Sequence, residues 1–219
     1  MRETILVFDY DGTLHETFRV YRPGIEEAVN WLRSVHGVDV NIPPDSTIKS
    51  WLGMSTAEMW EDFLPQLPDA LKSQAGALVG SVMRREILAG HGKWYPGITE
   101  KLDELKAQGY RMAVLSNCDP AYAKLNREVF GMDRWFEAFY DCETYAPHSK
   151  ADVMEIIARL LTAGTQDPVD FVVIGDRGND QEAARRIGAR FVFCEYGYGT
   201  REEVGQDAEG IKEICDLTV

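Results

Sequence analysis

Ile5-Leu6-Val7-Phe8-Asp9-Tyr10-Asp11-Gly12-Thr13-Leu14 is the stretch from which the rest of the chain can be read. Its first four residues form a short, β-rich apolar run with no polar alternation, the pattern of a central parallel strand buried on both faces. Two carboxylates, Asp9 and Asp11, follow at once, and Gly12 lets the backbone turn tightly. In a doubly wound sheet the ligand crevice lies at the carboxyl ends of the strands, so both acids can project there. An Asp-rich turn is the plainer reading of the same letters. A calcium loop of the helix–loop–helix kind fails, because Phe18 and Arg19 follow and the twelfth position is Val20 rather than a bidentate Glu.

Working outward, three more runs share the look of that strand: Met112-Ala113-Val114-Leu115, Phe171-Val172-Val173-Ile174 and Phe191-Val192-Phe193-Cys194, with a weaker one at Ala138-Phe139-Tyr140. Helical patterns lie between them. Residues 97–108 space Ile98, Leu102 and Leu105 on one face and stop at Gly109. Residues 150–161 align Val153, Ile156, Ile157 and Leu160 behind Ser149 as N-cap, and residues 179–187 end at Gly188. The alternation predicts an α/β fold with a Rossmann-like, doubly wound parallel sheet. One block breaks the rhythm. Residues 23–89 carry helical signals: Pro23 for a first turn, a Ser55-Thr56-Ala57-Glu58 capping box, and apolar faces that include Trp31, Trp51 and Trp60. The expected organisation is a catalytic core of residues 1–14 and 91–219 with an inserted all-helical cap of residues 15–90, hinged near Gly90 and Gly92.

Composition sets the outer limits. A chain of 219 residues fits one medium domain, or a domain with a large insertion, and 45% hydrophobic against 27% charged residues excludes wholesale disorder. The 36 acidic residues outnumber the 23 Lys and Arg for a net charge of −13, which argues against nucleic-acid or anionic-membrane partners, since both need a basic face. Cys118, Cys142, Cys194 and Cys215 lie too far apart for a zinc site or a dense disulfide framework. The apolar run near the N-terminus is too short for a signal peptide, and no run approaches the ~18 residues of a membrane helix. A soluble, cytoplasmic protein is the expectation.

Two further peptides close predicted strands. Leu115-Ser116-Asn117 offers a hydroxyl and a carboxamide to an anion. Gly175-Asp176-Arg177-Gly178-Asn179-Asp180 places two acids across a helix start, as cap and first-turn charge or as hard oxygen ligands for magnesium. Each has an ordinary explanation as a turn or cap; together they crowd the same end of one sheet.

In this order and context the set resembles the haloacid dehalogenase-like hydrolase superfamily, whose first motif is Asp-x-Asp-Gly-Thr, over nearly the whole chain. Trp94-Tyr95-Pro96-Gly97 and the stretch from Asn179 to Gly188 look like its phosphoglycolate-phosphatase branch. The resemblance implies a magnesium-dependent phosphatase acting on a small phosphorylated metabolite. Asp9 would be the nucleophile that becomes phospho-aspartyl, and Asp11 would protonate the leaving oxygen and then activate water. Ser116 and Asn117, with the backbone at Gly12, would hold the phosphoryl group. Magnesium would sit on Asp9, Asp176 and the backbone carbonyl of Asp11, with Asp180 acting through water or by orienting a lysine. Each carboxylate costs about 4 kcal/mol per unit of phosphate charge at ~4 Å and an effective dielectric of ~20, which one magnesium and one lysine offset in large part.

The third motif departs from the branch. Where Lys-Pro is usual, this chain reads Tyr145-Ala146-Pro147-His148-Ser149-Lys150, and Lys150 is the candidate lysine. A cation at a helix N-terminus opposes the helix dipole, which favours a functional reason for its place there. Cys118 and His148 read as bystanders, and His15 and Glu16 either line the cleft or begin the linker. In relatives the loop corresponding to residues 51–55 dips toward the active site, making Trp51, Gly53 and Met54 candidates for substrate contact. Dehalogenase and phosphonate-cleaving relatives lack the second acid of the first motif, so Asp11 argues against both. A sugar phosphomutase would keep every catalytic residue found here, while a silent binding module would have lost at least one acid.

Overall fold

The unbroken apolar run becomes the middle of a six-stranded parallel sheet. The computed structural model describes residues 3–145, 148–165 and 167–219. Strand β1 (Glu3–Phe8) leads into helices α1 (Phe18–His36), α2 (Asp45–Ser50), α3 (Thr56–Phe63) and α4 (Asp69–Leu88). Helices and strands then alternate: α5 (Ile98–Ala107), β2 (Arg111–Ser116), α6 (Pro120–Val129), β3 (Ala138–Asp141), α7 (Lys150–Leu161), β4 (Val169–Gly175), α8 (Gly178–Arg186), β5 (Arg190–Cys194), α9 (Arg201–Val204) and β6 (Gly210–Ile211). The sheet runs β3-β2-β1-β4-β5-β6 with every pairing parallel. Strands β2 and β3 lie to one side of β1 and β4 to β6 to the other. The switch point, where a doubly wound sheet opens its crevice, is therefore at the carboxyl ends of β1 and β4.

Burial explains the sequence pattern. Ile5, Leu6, Val7 and Phe8 are almost completely buried, each contributing about 1.5–3 kcal/mol of transfer free energy. Ile5 and Val7 join Val153, Ile157 and Ala183 of α7 and α8 in one core cluster, and Phe8 meets Phe136 edge-on at 5.8 Å. A strand with partners on both faces has no place for a polar residue until it ends, and Asp9 is where it ends.

The chain divides into two compact units, one running up to His15 and resuming over Trp94–Val219, the other Glu16–Lys93. The first holds the sheet. The second is all-helical among the described residues, with α1 and α4 as its packed pair. Gly24 lets them approach: a Cβ there would crowd the Val79 backbone at 3.1–3.3 Å. Ser55 and Glu58 cap α3 reciprocally, and Ser149 and Asp152 do the same for α7.

Three details differ from the sequence expectation. Pro23 lies inside α1 rather than in its first turn, because Val20 and Tyr21 are buried and carry the helix back to Phe18. The unit boundaries fall a few residues from those expected: the His15 backbone bridges to Trp94 and Tyr95 N–H donates to the Leu14 carbonyl (3.0 Å), which ties His15 to the sheet unit. Strand β6 had no signal, being two residues long. No described helix is long and apolar enough to cross a membrane.

Candidate active site

Three strand-end peptides and the start of α7 come together within the sheet unit. Asp9 continues β1 by one residue, its N–H donating to the Ile174 carbonyl at 2.8 Å, so its carboxylate emerges at the switch point. The chain then folds back, with the Leu14 and His15 N–H groups both donating to the Tyr10 carbonyl (2.9 Å each). Gly12 makes that turn possible at φ +96°, and a Cβ there would overlap the Asp176 carboxylate. The Gly12 N–H itself donates to the His15 carbonyl (3.0 Å), within the turn.

Asp176 follows β4 and is fully buried. Its Oδ1 accepts from the Thr13 hydroxyl (3.2 Å) and its Oδ2 from the Tyr198 N–H (2.7 Å), the latter from the Gly197-Tyr198-Gly199 loop after β5. Asp180 lies in the first turn of α8, where its Oδ2 accepts from the N–H groups of Asp176 (3.1 Å) and Arg177 (2.9 Å). Lys150 opens α7. It is buried, and its Nζ donates to Asp9 Oδ1 at 2.5 Å and pairs with Asp180 Oδ1 at 2.6 Å. The lysine is thus held against the dipole of its own helix by two carboxylates. Ala146 and Pro147 of the departing motif lie outside the described residues, and His148 is exposed.

Asp9, Asp176 and Asp180 bring one carboxylate oxygen each to within 4.8 Å of one another, all buried. Burial raises the Asp9 carboxyl well above its usual range, Asp180 and Asp176 push it further up, and Lys150 opposes them. Burial and Asp180 together lift Asp176 to about 7. For Lys150, burial alone would lower the ammonium, but Asp180 and Asp9 outweigh it and hold the charge above its usual value. Three carboxylates facing one ammonium leave two surplus negative charges in a low-dielectric site. Hard oxygen donors with that deficit fit a divalent cation of the magnesium or calcium type.

Asp11 stands apart from this triad. Its Oδ1 accepts from the Tyr122 hydroxyl (2.9 Å) and its Oδ2 from the Ser116 hydroxyl (3.4 Å). The carboxylate of Asp11 is therefore not among the clustered metal-type ligands; the resemblance had implied its backbone carbonyl in that role. Ser116, the last residue of β2, is buried, and Asn117 follows it half-buried. Arg177 is engaged with Glu203, both contacts at 3.1 Å. Cys118 is buried, and its thiol is pushed up by burial and by Asp11.

The remaining candidates lie in the helical unit. Trp51 is almost fully buried, its Nε1–H donating to Asp62 Oδ2 (2.7 Å) and its ring 4.9 Å from that of Phe63. Gly53, at φ +91°, and Met54 are half-buried in the turn that follows. Sequence reasoning missed Tyr122, Thr13 and the Tyr198 N–H. Thr13 was within reach as part of the first motif; Tyr122 carries no local signal, because its partner is 111 residues away.

The profile of the haloacid dehalogenase-like hydrolase family matches residues 4–188. Among curated relatives, a phosphoglycolate phosphatase from Chromobacterium violaceum is 27% identical, covering 97% of this chain and 95% of its own. A 5′-nucleotidase from Pseudomonas aeruginosa is 25% identical, over 93% and 88%. Among solved structures, a haloacid dehalogenase-like family hydrolase from Streptococcus pneumoniae superposes with a TM-score of 0.75 at 22% identity, over 97% and 95% of the two chains. CbbY from Rhodobacter sphaeroides in complex with phosphate gives 0.77 at 21%, over 99% and 96%. At these identities the structural likeness speaks for the fold.

Proposed function

The chain belongs to the haloacid dehalogenase-like hydrolase family, and from that premise we propose that it is a magnesium-dependent phosphatase of a small phosphomonoester, working through a phospho-aspartyl intermediate on Asp9. The observation that carries the reading is a division of labour between two carboxylates two residues apart. Asp9 lies in the acidic triad against Lys150, while Asp11 is turned onto the hydroxyls of Tyr122 and Ser116. That division supports Asp9 as the nucleophile and Asp11 as the acid and base.

Asp9 attacks phosphorus, an Asp9–phosphorus bond forms, and the ester P–O bond breaks. Asp11 delivers a proton to the departing oxygen. In the second step Asp11 takes a proton from water, whose oxygen attacks the same phosphorus, releasing phosphate and regenerating Asp9. Lys150 opposes the burial that favours a neutral Asp9 and offsets the phosphoryl charge, and the Ser116 hydroxyl and Asn117 bind phosphoryl oxygens. Asp9 and Asp176, with Asp180 nearby, would hold magnesium, which when bound balances the surplus charge and polarises the phosphoryl group. Selection of the leaving group is assigned to the helical unit acting as a cap, with Gly53 and Met54 as contacts and Trp51 as their support.

Relatives named phosphoglycolate phosphatase and 5′-nucleotidase make phosphoglycolate and nucleoside monophosphates the first substrates to assay. Phosphate release from a panel of such esters, with mutase products followed in parallel, tests the reading. Turnover should disappear with excess chelator, return with magnesium, and be absent from folded Asp9→Ala protein. Undiminished turnover by Asp9→Ala would overturn the mechanism.

A further inference from the structure

Asp11, the acid that must reach the leaving group, is met by side-chain hydroxyls. Asp176 and Asp180 accept from main-chain N–H groups, and Asp9 is gripped by Lys150. Asp11 is met by two hydroxyls, of which the Ser116 contact is long at 3.4 Å and the Tyr122 contact short at 2.9 Å. Tyr122 is itself held at every polar point. Its N–H donates to Asp119 Oδ1 (2.9 Å), its carbonyl accepts from Asn126 Nδ2 (2.9 Å), and its hydroxyl lies 3.3 Å from His15 Nδ1. The Tyr10 hydroxyl donates to Asn126 Oδ1 (2.8 Å) and its ring stacks on His15 at 5.2 Å.

We propose that Tyr122 is the positioning residue for leaving-group protonation: its hydroxyl, backed by His15, holds the Asp11 carboxylate in the orientation that meets the departing oxygen. The inference rests on the phosphatase reading above. The Tyr122 hydroxyl donates to Asp11 Oδ1, which leaves Oδ2 to carry the proton and turn it toward the departing oxygen. In the first step the Asp9–phosphorus bond forms, the P–O bond to the alcohol breaks, and the Asp11 proton moves to that oxygen. A misdirected Asp11 leaves the alcohol to depart as an alkoxide, which is costly for alkyl esters and cheap for nitrophenyl esters.

The experiment compares kcat/KM of wild type, Tyr122→Phe and Tyr10→Phe over alkyl, phenyl and 4-nitrophenyl phosphates with magnesium present, after melting curves confirm folding. Tyr122→Phe removes one oxygen and keeps the ring. It should lose ~10–100-fold on alkyl phosphates, within the range of general acid catalysis, and less than about 3-fold on 4-nitrophenyl phosphate. Tyr10→Phe removes a hydroxyl from the same cluster without touching Asp11, and should leave the leaving-group dependence at the wild-type slope. Equal losses across the series, no loss, or the same change of slope in Tyr10→Phe would overturn the proposal. Wild-type turnover that Asp9→Ala abolishes establishes the phosphatase reading independently of Tyr122; its absence overturns both.

Discussion

Lys150 shows how much one side chain settles at this site. A lysine in the first turn of a helix is electrostatically misplaced, and a buried lysine more so, yet Lys150 is both. What reconciles the two is the pair of carboxylates within hydrogen-bonding distance, Asp9 and Asp180. Removing the ammonium leaves three buried acids with no counter-charge, so Lys150→Ala should lose ~10²–10³ in turnover, the size of one lost electrostatic stabiliser. Lys150→Arg should recover little, because a planar guanidinium cannot place one nitrogen between both oxygens as an ammonium does. Steady-state kinetics on the best substrate check this, and a Lys150→Ala enzyme within a few-fold of wild type would move the role to another cation. The position was legible from sequence because a cation at a helix start needs a reason. Tyr122 was not legible, because its reason is Asp11, far away in the chain and brought close only by the fold.

At the scale of elements, legibility followed the number of buried faces. Strand β1 needs apolar residues on both sides, so its run is unbroken and its end at Asp9 is sharp. Strand β6 is two residues at the sheet edge, a length over which no periodicity exists. Local proline chemistry points to residue 23 as the first turn of α1, whereas burial of Val20 and Tyr21 extends the helix back to Phe18. The loop after α2 illustrates a different limit. An aromatic before a glycine reads equally as a substrate contact or as packing, and Trp51 is buried on Phe63 and Asp62. Trp51→Ala should therefore destabilise the helical unit by about 3–5 kcal/mol, the cost of emptying a large aromatic site. Met54, half-buried in the same loop, should cost about 1 kcal/mol or less as Ala. Denaturant titrations followed by circular dichroism measure both. If Gly53 and Met54 meet the substrate, Met54→Ala should change the relative rates of two phosphomonoesters without the large loss of stability that Trp51→Ala brings. The reverse assignment of effects would place the specificity contacts elsewhere.

For the whole molecule the governing quantity is charge: a net −13 overall, with two surplus negative charges concentrated at the switch point of the sheet. Without a metal ion the folded chain relieves that local excess by binding protons. Burial and neighbouring carboxylates raise Asp9 and lift Asp176 to about 7, against 3.8 for an ordinary Asp. The folded state therefore holds more protons than the unfolded state between those values, and its stability must fall as pH rises. The contribution from Asp176 is complete below pH 3.8 and is lost as pH climbs through about 7. In excess chelator the melting midpoint should thus be higher at pH 6 than at pH 8, by on the order of several degrees. Magnesium competes with those protons for the same oxygens, so it should raise the midpoint more at pH 8 than at pH 6. General self-repulsion of an acidic chain also weakens stability at high pH, and Asp176→Asn separates the two causes. That variant keeps almost all of the overall charge but removes one acid of the triad. It should melt higher than wild type in chelator at pH 8, show a flatter pH dependence, and respond weakly to magnesium. Midpoints that ignore magnesium at both pH values in the wild-type protein would mean that the triad does not bind the ion, whatever substrate the enzyme takes.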